Sequence, residues 1–390
     1  MKKRVLLLTT YFNKDNSVGA IRIVNLHEHL IKKGYEVFVI TTDQTSIENE
    51  KVLIAKDLCS QAEGMMSIVL RIARRGLYSL GGVKWNTLYR KVISLSFNLI
   101  NKEKIDLVIA TTPNHEMIEV ALLLKQSTGV KVIADIRDGI TYEPIYDAKG
   151  LQRKRLNRLE KNIALYADKI VTVSPPISDF YIHTMTVKSS NVLTITNGIE
   201  SNNISMSNRI VKNKLGNKVN ITYCGKLDKS EKGRFDVCKA LIHAFSLLND
   251  NDKKRINISF YGDFYDYEIA EMSKFFTVHG SINRDKVLEI QSHSDILLLL
   301  ACEKYSVVTG KLFEYLATGN PILGIFDKPY AGKIIDELGA GKVVSPFDPE
   351  KIAQCLIEFT KSNTDNYIGN IAPYKFEVLL PQYERLIYEL

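Results

Sequence analysis

Thr309-Gly310-Lys311, followed by Leu312-Phe313-Glu314 and closed by Gly319-Asn320-Pro321, is the stretch of this chain whose residue types and spacing could do chemistry. A threonine able to cap, a glycine that admits an anion to the backbone and a lysine beside free N–H groups make a helix start suited to phosphate. Glu314 would lie about one turn in, where a fixed carboxylate could meet the sugar hydroxyls of a nucleotide-sugar, while Leu312, Phe313 and Leu316 face a core. Gly319 and Pro321 end the helix. Taken alone, an ordinary capped core helix accounts for this pattern better. A Walker-type loop is excluded, because no glycine stands at Tyr305 and Leu312 replaces the hydroxyl residue that would bind magnesium.

A second constellation raises the odds of the phosphate reading. Tyr223-Cys224-Gly225-Lys226-Leu227, with Lys232-Gly233 just beyond, places two lysines in a loop after an apolar strand. Each lysine alone is most simply a solvated loop residue. Together at the C-terminal edge of a parallel sheet with residues 309–314, they could neutralise a diphosphate held against Gly310.

The elements that must position these groups follow from length and patterning. A chain of 390 residues, 45% hydrophobic and 25% charged, can bury at least two cores. The fold class expected is α/β. In the first half, strands Val5–Thr9 and Val37–Thr41 flank a helix near Ile21–Lys33, which is a βαβ opening. Strands at Ile105–Ala110, Val130–Ala134, Lys169–Val173 and Val192–Ile195 continue the alternation, with helices near 116–126 and 158–166. Residues 201–218 are polar, Asn-rich and without periodicity, and the pattern then restarts with strands at Val219–Tyr223, Ile256–Tyr261, Phe276–Val278 and Ile296–Leu300. The expected organisation is a first domain over 1–200, a hinge over 201–218, a second domain over 219–370 and a C-terminal helix over 371–390 that could cross back to the first domain.

Charge and cysteine content narrow the partners. The net charge of +8 suits a polyanionic partner: nucleic acid, an anionic membrane surface or phosphorylated small molecules. Between Gly64 and Asn101 no acidic residue occurs, while Arg71, Arg74, Arg75, Lys84, Arg90 and Lys91 interleave with apolar residues at helical spacing. This reads as two amphipathic helices broken at Gly81-Gly82. A solvated basic face is the ordinary role for such a stretch, and docking of 64–101 on an anionic membrane surface is the sharper one. Aromatic residues are not interleaved along a basic strand face as stacking platforms, so nucleic acid is not expected as a partner. Five scattered cysteines fit reduced thiols in a cytoplasmic protein and not a zinc ribbon. The start Met1-Lys2-Lys3-Arg4 with Val5–Leu8 mimics a leader, but the apolar run breaks at Thr9 and reads better as a first buried strand. No Asp-X-Asp pair is placed to chelate a metal near a diphosphate, and neither a metal nor a cofactor is expected.

At this point the chain resembles the GT-B glycosyltransferases of the family-4 kind, the bacterial builders of capsule, lipopolysaccharide and other surface glycans among them. The resemblance spans nearly the whole chain. It is carried by Ser17-Val18-Gly19-Ala20-Ile21-Arg22, Gly34-Tyr35-Glu36-Val37, Asp135-Ile136-Arg137-Asp138, Ala167-Asp168-Lys169-Ile170-Val171-Thr172-Val173-Ser174, Asn197-Gly198-Ile199, Gly225-Lys226-Leu227 with Lys232-Gly233, His279-Gly280, and Lys311 to Pro321. Each piece is short, and their order and spacing make the set specific.

The resemblance implies two Rossmann-like domains facing across a cleft, and retaining transfer from a nucleotide-sugar to a glycan or polyprenyl-linked acceptor. It implies that Glu314 binds the donor ribose, that Lys226 and Lys232 neutralise the diphosphate beside Gly225, Thr309, Gly310 and Lys311, and that the Gly19 loop with Arg22 packs against donor phosphate and sugar. Asp138, Arg137 and His115 fall on the acceptor side, where Asp138 and His115 could orient a hydroxyl; for His115 a structural hydrogen bond is the simpler role. The sequence departs from the family where a glutamate contacting the donor sugar is usual and Ser306 stands instead, where Gly-Arg-Leu is Gly225-Lys226-Leu227, and where an acceptor-loop histidine is replaced by Arg137. The enzyme would sit in the cytoplasm, with a peripheral place on the inner face of the cell membrane if 64–101 docks there. A nucleotide-sugar epimerase of the same two-domain form and a catalytically weak binding subunit of a transferase complex are the competing readings.

Overall fold

The computed structural model describes residues 2–14, 18–56, 69, 76, 82–143, 148–200, 218–229, 232–302, 308–327, 330–361 and 369–390. Ser306, the linker over 201–217 and the helix expected before Gly81 lie outside the described residues. The chain divides into two units, one of residues 1–196 with 379–390 and one of residues 197–378. Asn197 to Glu200 therefore go with the second unit, a few residues before the linker expected from the sequence.

The first unit is a seven-stranded parallel sheet in the order β3-β2-β1-β4-β5-β6-β7. Its strands are β1 (Arg4–Thr9), β2 (Glu36–Thr41), β3 (Val52–Ile54), β4 (Leu107–Thr111), β5 (Lys131–Ile136), β6 (Lys169–Thr172) and β7 (Val192–Thr194). All five residues of β4 are buried, as are the last five of both β1 and β5. Helices cover both faces of such a sheet, which is why these strands read as unbroken apolar runs without alternation. The helix Ile21–Lys32 buries Ile21, Ile23, Val24, Leu26 and Leu30 at helical spacing, and the helix Gly150–Tyr166 extends eight residues N-terminal to the expected start at Arg158. The edge strand β3 was not singled out by sequence.

The second unit repeats the plan with six parallel strands in the order β10-β9-β8-β11-β12-β13. These are β8 (Val219–Cys224), β9 (Ile256–Tyr261), β10 (Thr277–His279), β11 (Ile296–Leu300), β12 (Ile322–Ile325) and β13 (Gly341–Val344). The core on one side gathers Tyr223, Phe260, Phe276 and Leu356, and on the other Leu297, Phe313, Leu316 and Ile335. The helix Gly310–Thr318 contributes to the latter core, and Gly319, at φ 71°, ends it in the left-handed conformation.

The C-terminal segment divides between the units. Lys375 bridges Ile199 and the Phe376 amide donates to the Ile199 carbonyl at 3.1 Å, both within the second unit. The helix Pro381–Glu389 belongs to the first unit, where Tyr383 is fully buried.

Candidate active site

In the second unit, β8 delivers Gly225 and the lysine loop to the C-terminal edge of the sheet. Gly225, at φ 145°, leaves no room for a side chain: a Cβ there would lie 2.0 Å from the Lys311 Nζ. Hydrogen bonds tie Asp228, beyond it, to the start of the next helix. Asp228 Oδ1 accepts from the Gly233 and Phe235 amides at 3.0 and 2.9 Å, which caps the helix Arg234–Ser246. Glu268 in turn accepts from the Asp228 amide at 2.9 Å and from Tyr265 N at 2.7 Å. Lys226 and Lys232 thus lie close in sequence to Asp228 and Gly233, which are joined by a hydrogen bond. Lys232 is exposed. Lys226, half exposed, has its Nζ 3.7 Å from Asp263, a carboxylate that also takes a 2.5 Å bond from Lys229. That bond from Lys229 holds Asp263 below the usual carboxylate range.

Beneath the loop lies a cluster that local sequence did not announce. Tyr223, at the inner end of β8, donates to the Lys226 carbonyl at 2.7 Å, and Arg234 donates to the same oxygen at 3.4 Å. Lys311 donates to the Tyr223 hydroxyl at 3.2 Å and lies 4.6 Å over its ring. Burial, then the neighbouring Arg234 charge, pushes Lys311 down to about 7, with Glu314 opposing. Lys311 therefore sits between the helix start and the Gly225 turn with its charge only partly established at neutral pH.

Thr309 occupies the N-cap in extended conformation, yet its side chain makes no capping bond and its buried Oγ1 has no hydrogen-bond partner. Glu314 is 9% exposed, and its Oε1 accepts from Arg284 Nη1 at 2.9 Å. Arg284, at the start of the helix Arg284–His293, also lies 3.8 Å from Glu200. A carboxylate so held keeps its orientation and retains one oxygen outside that bond. Arg284, Glu200, Arg234 and Tyr223 were missed from the sequence as site residues; Arg284 meets Glu314 across 30 positions and Lys311 meets Tyr223 across 88, which no local spacing signals.

In the first unit, Arg22 is committed to a buried network. Its guanidinium meets both Asp135 oxygens at 3.1 and 3.2 Å, the Thr196 carbonyl at 2.6 Å and the Tyr383 hydroxyl at 2.7 Å. Tyr383 and Thr111 also donate to Asp135, at 2.9 and 2.8 Å. At 3% exposure, Arg22 fastens the C-terminal helix to the ends of β4 and β5.

Arg137, just beyond β5, donates through Nη1 to the Gly19 carbonyl at 2.5 Å and through its amide to Thr112 Oγ1 at 2.7 Å. This bond ties Gly19 to the loop that also carries Asp138. The same loop is anchored below by Glu160, whose carboxylate accepts from the Thr141 hydroxyl and, at 3.4 Å, from its amide. Burial pushes Glu160 up to about 7. His115 opens the helix His115–Thr128; burial pushes it down to about 4, and its buried Nδ1 has no partner. It is therefore a neutral imidazole at pH 7, suited to orient a hydroxyl. Among the described residues no three His, Cys, Asp or Glu side chains are grouped to hold a metal ion.

The comparisons with known proteins bear on this geometry. Residues 19–203 match the family model for Glycosyltransferase Family 4. No curated protein matches the chain. Among solved structures, the chain is similar to a glycosyltransferase from Rickettsia africae at 14% identity and TM-score 0.64, covering 100% of this chain and 98% of that one. It is similar to Anabaena HepE in complex with UDP and glucose at 12% identity and TM-score 0.66, covering both chains fully. It is also similar to the UDP-GlcNAc 2-epimerase of Methanocaldococcus jannaschii, at 10% identity and TM-score 0.58 over the full length of both. Fold alone therefore does not separate transferase from epimerase, and the family match over residues 19–203 favours transferase. The chain thus has the two parallel sheets of the GT-B fold, and its residues 19–203 are similar to Glycosyltransferase Family 4.

Proposed function

We propose that this enzyme transfers a sugar, with retention and without a divalent ion, from a nucleotide-sugar to a glycan or polyprenyl-linked acceptor in bacterial surface-polysaccharide synthesis. The observation that carries the reading is the lysine loop pinned by Asp228 beside Gly225, with Glu314 oriented by Arg284 inside the helix that starts at Gly310. The Anabaena structure with UDP and glucose supports a UDP-sugar donor.

In this reading Glu314 takes the ribose hydroxyls, and Gly225, Lys226, Lys232, Thr309, Gly310 and Lys311 face the diphosphate. As the anomeric C–O bond breaks, charge builds on the departing phosphate oxygen, where lysines and a helix N-terminus stabilise it most. The acceptor oxygen attacks from the same face, and its proton passes to the leaving phosphate. Asp138 and His115 orient the acceptor hydroxyl, with Arg137 and Gly19 shaping that side. The basic stretch 64–101 gives the protein a peripheral place on the inner face of the cell membrane, where a lipid-linked acceptor is presented.

The test is a panel of nucleotide-sugars with and without EDTA, followed by NMR of the product. Nucleoside diphosphate should be released undiminished by EDTA, and the anomeric proton coupling should match the donor's. Activity abolished by EDTA and restored by magnesium or manganese overturns the electrostatic account. An inverted product overturns retention, and an epimerised donor without release of nucleoside diphosphate overturns transfer altogether.

A further inference from the structure

We infer that the cavity between the edge strand β3 and the helix Thr87–Glu103 binds the phosphate head and first methylenes of a membrane-resident lipid phosphate. The cavity measures about 750 Å³, within the range of small-molecule sites. Leu53, Ile54 and Leu95 line it together with Lys56, Arg90, Lys91 and one carboxylate, Glu48. Lys56 is 3.6 Å from Glu48, which also takes the Ile54 amide at 3.3 Å. Arg90 and Lys91 are exposed and have no ion pair among the described residues, so two positive charges face the cavity uncompensated.

This pairing of apolar lining with free cations selects an amphiphilic anion. A nucleotide would leave its base on a wall that offers no aromatic ring, and a bare phosphate would leave the leucines uncovered. Trp85 adds an independent sign. It ends the turn Gly82–Trp85 two residues before Thr87, stays 56% exposed beside exposed Lys84, and an amphipathic ring at such a place is suited to the headgroup layer. The local frame is fixed, since Asn86 caps the helix by accepting from the Leu88 amide at 3.0 Å. The inference deepens the membrane side of the proposed function, and rests on that reading in assigning the phosphate to a bilayer lipid.

Trp85 is the one tryptophan of the chain, so its fluorescence reports this face without ambiguity. Vesicles of phosphatidic acid in phosphatidylcholine should shift its emission to the blue, and pure phosphatidylcholine should not. Arg90→Ala with Lys91→Ala should weaken vesicle binding about thirty-fold, at about five-fold per cation near an anionic surface. Both residues are exposed, so the fold is retained. Decyl phosphate below its micelle concentration should compete, with affinity rising from butyl to hexyl to octyl phosphate, while inorganic phosphate should not. Equal competition by inorganic phosphate would reduce the cavity to a plain anion site. Vesicle binding unchanged in the double variant would move the contact elsewhere. UDP titration of the same samples keeps the readings apart: a wild type that binds UDP but not the phosphatidic acid vesicles sinks this inference alone, and absent UDP binding in the wild type sinks the donor assignment instead.

Discussion

Lys311→Met should abolish a proton uptake that accompanies donor binding. In the free protein Lys311 is pushed down to about 7, so at pH 8 about one-tenth of molecules carry its proton, by the ordinary titration relation. A diphosphate charge about 5 Å away, at an effective dielectric of about 20, favours the ammonium by about 3 kcal/mol, or about two pK units. Binding at pH 8 should therefore take up about 0.8 proton, and the dissociation constant should rise several-fold per pH unit between about 7 and 9. Calorimetry of UDP binding at pH 8 in buffers of different ionisation enthalpy measures the uptake directly, above the range in which the phosphate itself titrates. Lys311→Met keeps the length of the side chain over the Tyr223 ring and should bring the uptake close to zero. A wild type without proton uptake, or a methionine variant that retains it, refutes the placement of Lys311 at the diphosphate. The free protein supplies a second check. A lysine depressed from 10.5 binds its proton more tightly in the unfolded chain, so stability should rise with pH between about 7 and 10.5, and less so in Lys311→Met.

Glu314→Gln should weaken UDP binding by about 1.5 to 3 kcal/mol in calorimetry; because the bond to Arg284 loses its charge, the melting temperature should fall too, and unchanged affinity in a folded variant would remove Glu314 from the site. Lys226→Ala and Lys232→Ala should each slow turnover by about a hundred-fold with little change in melting temperature; wild-type turnover in both would end the diphosphate assignment. Glu160 is raised to about 7 from 4.5, so the folded chain binds its proton more tightly and stability should fall as pH rises from about 4.5 to 7. Glu160→Gln should flatten that slope in denaturant titrations; an unaltered slope would show that Glu160 is not the group responsible.

Much of this molecule was legible in the amino-acid order, because parallel strands buried on both faces write themselves as apolar runs and their loops as glycine and charge. Val5–Thr9, Ile256–Tyr261 and Ile296–Leu300 were read almost to the residue. The lysine loop and the carboxylate of the helix Gly310–Thr318 were likewise visible, since each is a local pattern. The edge strand β3 and the strands β12 and β13 were not singled out. What only tertiary structure decided is who partners whom. Arg22 pairs with Asp135 and Tyr383 across 113 and 361 residues, and Glu314 with Arg284 across 30. An arginine's sequence neighbourhood does not say whether its fork will meet a substrate or a buried carboxylate. That choice is made when distant strand ends and helices are packed together, burying the charge and obliging it to find its partner inside the protein.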